Sequence, residues 1–152
     1  MDEIEVEVTG LDELAKKLDN IPYKFAQRIQ RTALQAGGEV FEAEMRANAP
    51  VASERAHPDA APGELRDSIG VKIRLGKDLD SSVAKIGPLY DKGKYSGNRR
   101  TWSPGIYGFF VEYGTKIMEA QPFIRPAYQA GRERAFSAYA QVVDALLKLL
   151  VE

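Results

Sequence analysis

The chain opens on a strict alternation, with Ile4, Val6 and Val8 set between Glu3, Glu5 and Glu7. That two-residue period predicts a strand with one face buried and one face wet. The glutamates read as the wet face, and as charges on a sheet edge they would also discourage unwanted pairing. Thr9 and Asp12 then stand at the spacing of an N-terminal capping pair, with Leu11, Leu14 and Leu18 on one stripe, which predicts a short helix ending near Asn20. From Pro22 a longer pattern begins. Phe25, Ile29, Ala33, Ala36, Val40 and Ala43 recur at three- and four-residue steps, and Leu34, Phe41 and Met45 widen the apolar surface. A stripe this broad, with Ala at several positions, predicts a long helix that lies close to both a sheet and a neighbouring helix. Gly37 and Gly38 in its middle cost about 1 kcal/mol each relative to Ala, so the pair marks a kink or a close approach.

Pro50 ends that helix, and residues 49–63 read as an irregular loop. Ile69, Val71, Ile73 and Leu75 alternate with polar neighbours, residues 76–82 carry turn residues, and residues 83–87 read as a second strand. With the first strand this hairpin makes a small antiparallel sheet, which needs helices on one face to be stable. A short helix is expected over residues 106–113, ended by Gly114, which is free to take positive φ and redirect the chain. Pro122 and Pro126 fix two further backbone angles, so that Pro126 starts a final helix running to the C-terminus. Phe136, Tyr139, Val143, Leu146 and Leu150 form its apolar stripe, with Leu147 and Leu149 off that stripe. The expected fold is α+β: a small antiparallel β-sheet packed against a long helix in the N-terminal half and a C-terminal helix, forming a single domain over residues 1–152.

Composition narrows the chemistry. The formal net charge of −1 argues against a protein that coats nucleic acid through bulk charge. There are no cysteines and one histidine, His57, which the loop context reads as solvated rather than as a pH sensor or ligand. Disulfides, thiolate metal sites and cysteine nucleophiles are thereby removed, and a zinc site is left with at most one imidazole. The acidic N-terminus has no positive, apolar leader pattern, and no apolar run approaches about 18 residues. The expectation is a soluble protein made in the cytoplasm. There is no P-loop, no Gly-rich dinucleotide turn, no H-E-x-x-H and no G-x-S-x-G. Glu42 and Glu44 fall on different sides of a helix, and Asp78 and Asp80 sit in a turn where acids are common. No enzyme, metal or cofactor is expected.

One basic patch and one aromatic segment remain. Residues 92–100, KGKYSGNRR, hold Lys92, Lys94, Arg99 and Arg100 with no acid. This extended loop is either solvated or a contact for DNA phosphates, with Tyr95 available to stack on a base. A nucleic-acid-binding accessory protein using this loop is the alternative function. The segment over residues 109–127, FFVEYGTKIMEAQPFIRPA, places aromatics, a Gly turn and two prolines around charged side chains. Glu112 and Arg125 have opposite charge and flank the turn, which suggests an ion pair between the two arms. Tyr107, Phe109, Phe110, Tyr113 and Phe123 form an aromatic cluster in sequence. On a helix Tyr107 and Phe110 share one face and Phe109 and Tyr113 another, so one pair can pack inward while the other meets a neighbour.

FVEYGT followed by PFIRPA, together with VTGLDELAKKL near the start, MRANAPV at residues 45–51 and PGELRDSI at residues 62–69, resembles a known family. These pieces occur in the order found in the tail-completion, or head-tail joining, proteins of long-tailed double-stranded DNA bacteriophages, of the lambdoid minor tail type. SERAHPDA at residues 53–60 stands as an insertion relative to that pattern. The resemblance implies a non-enzymatic structural protein of the virion neck, acting as a hexameric ring of identical subunits around the DNA path. Its implied partners are further copies of itself, other phage neck and tail proteins, and double-stranded DNA in the lumen, with no membrane and no cofactor. The subunit-contact motif would be Tyr107, Phe109, Phe110, Glu112, Tyr113, Gly114, Thr115, Pro122, Phe123, Arg125 and Pro126.

Overall fold

The computed structural model describes residues 22–52, 61–78, 81–89 and 103–151. The strand expected over residues 4–8, the short helix over residues 11–18, the insertion at 53–60 with His57, Asp80, and the basic loop at 92–100 lie outside the described residues. Within them the order is α1 (Tyr23–Asn48), α2 (Glu64–Ser68), β1 (Ile69–Arg74), β2 (Val83–Pro88), α3 (Pro104–Tyr113) and α4 (Ile124–Val151). The architecture is α+β, with two long helices, α1 and α4, and a small antiparallel sheet.

Pro22 supplies the carbonyl that accepts the first α1 amides, from Phe25 at 2.7 Å and Ala26 at 3.2 Å. The inward stripe of α1 is Ile29, Ala33, Gly37, Gly38 and Met45. The two glycines mark close approaches on two sides. A Cβ on Gly37 would stand 3.0 Å from the Ala135 carbonyl oxygen of α4, and one on Gly38 would stand 2.7 Å from Val71 Cγ1 of β1. Small residues thus let one helix touch another helix and a sheet at the same level.

β1 and β2 pair antiparallel, with Ile69 opposite Pro88, Lys72 opposite Lys85 and Arg74 opposite Val83. α2 was not anticipated in the sequence, because five residues are too few to show a helical period. Two boundaries also differ. α3 begins at Pro104, since Ser103 caps it, with its Oγ accepting the Ile106 amide at 3.2 Å. α4 begins at Ile124, two residues before Pro126. On α4 the buried positions are Ala127, Gly131 and Ala135, and Phe136, expected inside, is 72% exposed. The inward place beside Gly37 is closed to a large side chain, so Ala135 takes it and Phe136 is turned out.

The core gathers Met45, Ala49, Leu65, Ile69, Val111, Phe123 and Ala127, with Ile86, Tyr107, Met118 and Ile124 packed against it. MRANAPV, PGELRDSI, FVEYGT and PFIRPA each contribute to this one cluster. Four segments far apart in sequence are therefore read together because they bury one another.

Candidate functional site: a braced aromatic ridge

α3 is short and faces two ways. Its inward arc holds Gly108, Val111 and Glu112 with half-buried Tyr107, while Ile106, Phe109, Phe110 and Tyr113 are exposed. Phe109 and Tyr113 share a face as expected, but Phe110 leaves Tyr107 and joins them. Phe110 stands edge-on to Phe109 with ring centroids 6.2 Å apart, and Phe109 lies 4.8 Å from Tyr113, so these three rings are grouped. The cause is that four adjacent inward positions consume the buried arc and leave no room for Phe110. Phe123, from the other arm of the segment, is fully buried.

Glu112 braces the two arms. Its Oε2 accepts the backbone amides of Phe123 and Ile124, each at 2.8 Å, and its Oε1 accepts the Arg125 amide at 3.2 Å and Arg125 Nε at 3.0 Å. The ion pair between Glu112 and Arg125 is present, and it is the smaller part of the arrangement. A helix start leaves four amide positions without an intrahelical partner. At α4 these are Phe123, Ile124, Arg125 and Pro126: one carboxylate satisfies three, and the fourth residue has no N–H. The negative charge also lies at the positive end of the helix dipole. Burial by itself pushes the Glu112 carboxyl up, but the amides of Ile124 and Phe123, the Arg125 guanidinium and the Arg125 amide together outweigh it. The group is held below the usual carboxylate range.

The connecting loop is equally tied. Gly114 has φ +76°, and a Cβ there would stand 2.9 Å from the Ala120 nitrogen, so both conformation and space demand glycine. Thr115 Oγ1 accepts the Met118 amide at 3.0 Å, the Thr115 amide donates to the Met118 carbonyl at 2.8 Å, and the Gln121 amide donates to Val111 O at 2.8 Å. At the tip of this closed turn Ile117 is 99% exposed. The Arg125 guanidinium lies 5.2 Å from the Tyr113 ring, while Pro122 and Thr115 are exposed and Pro126 is half-buried. The result is an apolar ridge of Ile106, Phe109, Phe110 and Tyr113 along α3, followed by Ile117 at the tip of the next turn. Sequence reasoning missed Ser103 and Ile117. Ser103-Pro104 is a readable helix-start signal, whereas the exposure of Ile117 depends on the turn that Thr115 closes.

An apolar groove of 640 Å³ runs between α1, β2 and the start of α4, lined by Phe41, Met45, Ala84, Ile86, Ile124 and Tyr128 among others. The Phe41 and Tyr128 rings stack at 5.8 Å on one wall. The carboxylates considered as acid-base or metal pairs are placed elsewhere: Glu42 pairs with Arg46 at 2.8 Å and Glu44 with Arg134 at 2.6 Å. Among the described residues no three acidic or histidine side chains come together to hold a metal, and no helix is long and apolar enough to cross a membrane.

A family model described as "Bacteriophage HK97-gp10, putative tail-component" matches residues 12–114, more than half of the chain. The match covers α1 through Gly114 and stops before the PFIRPA arm. No curated protein and no solved structure gives a significant match to the chain.

Proposed function

The chain belongs to the HK97-gp10-like family of bacteriophage tail components, and from that premise we propose that it is a non-enzymatic structural protein of the virion neck. In this reading it completes the tail end or joins it to the head as a homo-oligomeric ring around the DNA path. It is made in the bacterial host cytoplasm and contacts other neck and tail proteins. The observation that carries the reading is the exposed ridge of Phe109, Phe110, Tyr113 and Ile117 on a braced turn. Contiguous exposed apolar side chains of this kind mark interaction surfaces, and rigid aromatic anchors lose little entropy on binding. A closed ring needs two different patches per subunit. The ridge supplies a protrusion and the groove beside Tyr128 a concavity.

Sedimentation velocity across concentration, with negative-stain imaging, tests the proposal on the purified protein and on protein mixed with tails that lack it. Closed rings, free or at the tail end, are the expected outcome, and Phe109→Ser with Tyr113→Ser abolishes them without unfolding the monomer. The proposal is overturned if tails made without the protein join heads and infect as well as complete ones.

A further inference from the structure

The outward face of the β1–β2 hairpin is basic. Lys72 and Arg74 on β1 and Lys85 on β2 are all exposed, with Lys72 directly opposite Lys85. Exposed Lys77 follows in the turn, whose backbone carbonyl accepts a hydrogen bond from the Tyr23 hydroxyl of α1. The two strands contain no acid, and the sequence between them carries Asp78 and Asp80. Among the described residues Arg74, Lys77 and Lys85 form no ion pair.

We propose that this hairpin face binds the phosphate backbone of double-stranded DNA, the deeper form of the neck reading on which it rests. Outward positions two apart on a strand lie roughly 6.8 Å apart, and opposite positions on paired strands roughly 5 Å apart. A duplex presents one negative charge per about 1.7 Å of its axis, so a ribbon with this spacing meets phosphates along its length. The other exposed residue of this face is Val83, and its far end, at the Gly70–Gly87 pair, is buried. The cations are assigned to phosphate oxygens, which carry no sequence information, so the expected binding is independent of sequence. The same composition disfavours an acidic protein as occupant, since Val83 is too small to act as the buried anchor such an interface uses. In a ring the face is repeated once per subunit, which multiplies a weak single contact.

Fluorescence anisotropy with two labelled duplexes of unrelated sequence tests this on the full chain. Wild-type protein binds both equally, and with three phosphate contacts its affinity falls about 40-fold between about 50 and 200 mM salt. Arg74→Gln/Lys77→Gln/Lys85→Gln removes most of this affinity and its salt dependence, while Arg74→Lys/Lys85→Arg keeps both. Circular dichroism confirms that each variant is folded. The inference fails if the triple variant binds like wild type, if only neutralising Lys92, Lys94, Arg99 and Arg100 abolishes binding, or if polyglutamate competes as well per charge as DNA. Ring formation without DNA, followed in parallel, separates this failure from that of the neck reading: intact rings with no duplex affinity sink the hairpin proposal alone.

Discussion

Glu112 shows how much can rest on one side chain. The residue is 1% exposed, and its carboxylate takes four hydrogen bonds, three of them from the amides that open α4. Removing it leaves those donors without a partner, and an unpaired buried donor costs more than a hydrogen bond gains. Glu112→Ala is therefore expected to lose about 3 kcal/mol, or roughly 6–12 °C in Tm for a chain of this size. Arg125→Ala removes only a side chain that is 60% exposed, and about 0.5 kcal/mol is expected. Equal losses at the two positions, read by thermal unfolding, would show that the ion pair dominates. The acid limb follows from the lowered carboxyl. Its contribution is complete above the unfolded glutamate value of about 4.3 and disappears as pH falls through the lower folded value. The stability gap between wild type and Glu112→Gln should accordingly narrow below about pH 4 in denaturant titrations, and a constant gap down to pH 3 contradicts the assignment. Opposite charges either side of a glycine turn made the pair legible in the sequence. The amide capping was not, because it joins α3 to the start of α4 through space and has no local spacing to betray it.

For the elements, what decides the packing is where small residues stand. A helix-favouring change at Gly37 or Gly38 gains about 1 kcal/mol in propensity but brings its Cβ closer to a neighbour than van der Waals contact allows, and overpacking costs about 1–3 kcal/mol. The two neighbours differ in kind. Gly38→Ala meets a Val71 methyl, which can be shortened, whereas Gly37→Ala meets the Ala135 carbonyl in the α4 backbone. Chemical denaturation should show both single variants destabilised by up to about 2 kcal/mol net, with Val71→Ala rescuing Gly38→Ala and leaving Gly37→Ala unrelieved. Rescue of both, or of neither, would mean that the approach is not set by these contacts. Gly114 made the end of α3 legible, and the hydrophobic period revealed α1 and the hairpin, since each buries one face over several repeats. It misplaced Phe136, because periodicity counts apolar residues and cannot tell that the inward slot is too tight for a ring. It also left the start of α3 two residues late, where the cap at Ser103 and not the apolar pattern sets the boundary.

On the scale of the whole molecule, the described motif segments are mostly interior, and the surface offered to partners lies beside them. Leu65, Ile69, Val111 and Phe123 are buried in one cluster, while Phe109, Tyr113 and Ile117 stand outside it on the same braced scaffold. A change in the cluster should unfold the protein and a change on the ridge should only isolate it. The direction of assembly can be read from mixtures. If the ridge of one subunit enters the groove of the next, a ridge variant (Phe109→Ser/Ile117→Asp) and a groove variant (Tyr128→Glu) each retain one good patch. Neither closes a ring alone. Together they form one productive contact per pair and stop at a heterodimer, because the two remaining patches are both defective. A ridge-to-ridge contact predicts the opposite: the groove variant would associate fully without help. Sedimentation velocity of the two variants, separately and mixed at equal concentration, distinguishes a head-to-tail ring, which can enclose a DNA path, from a two-fold pair, which cannot.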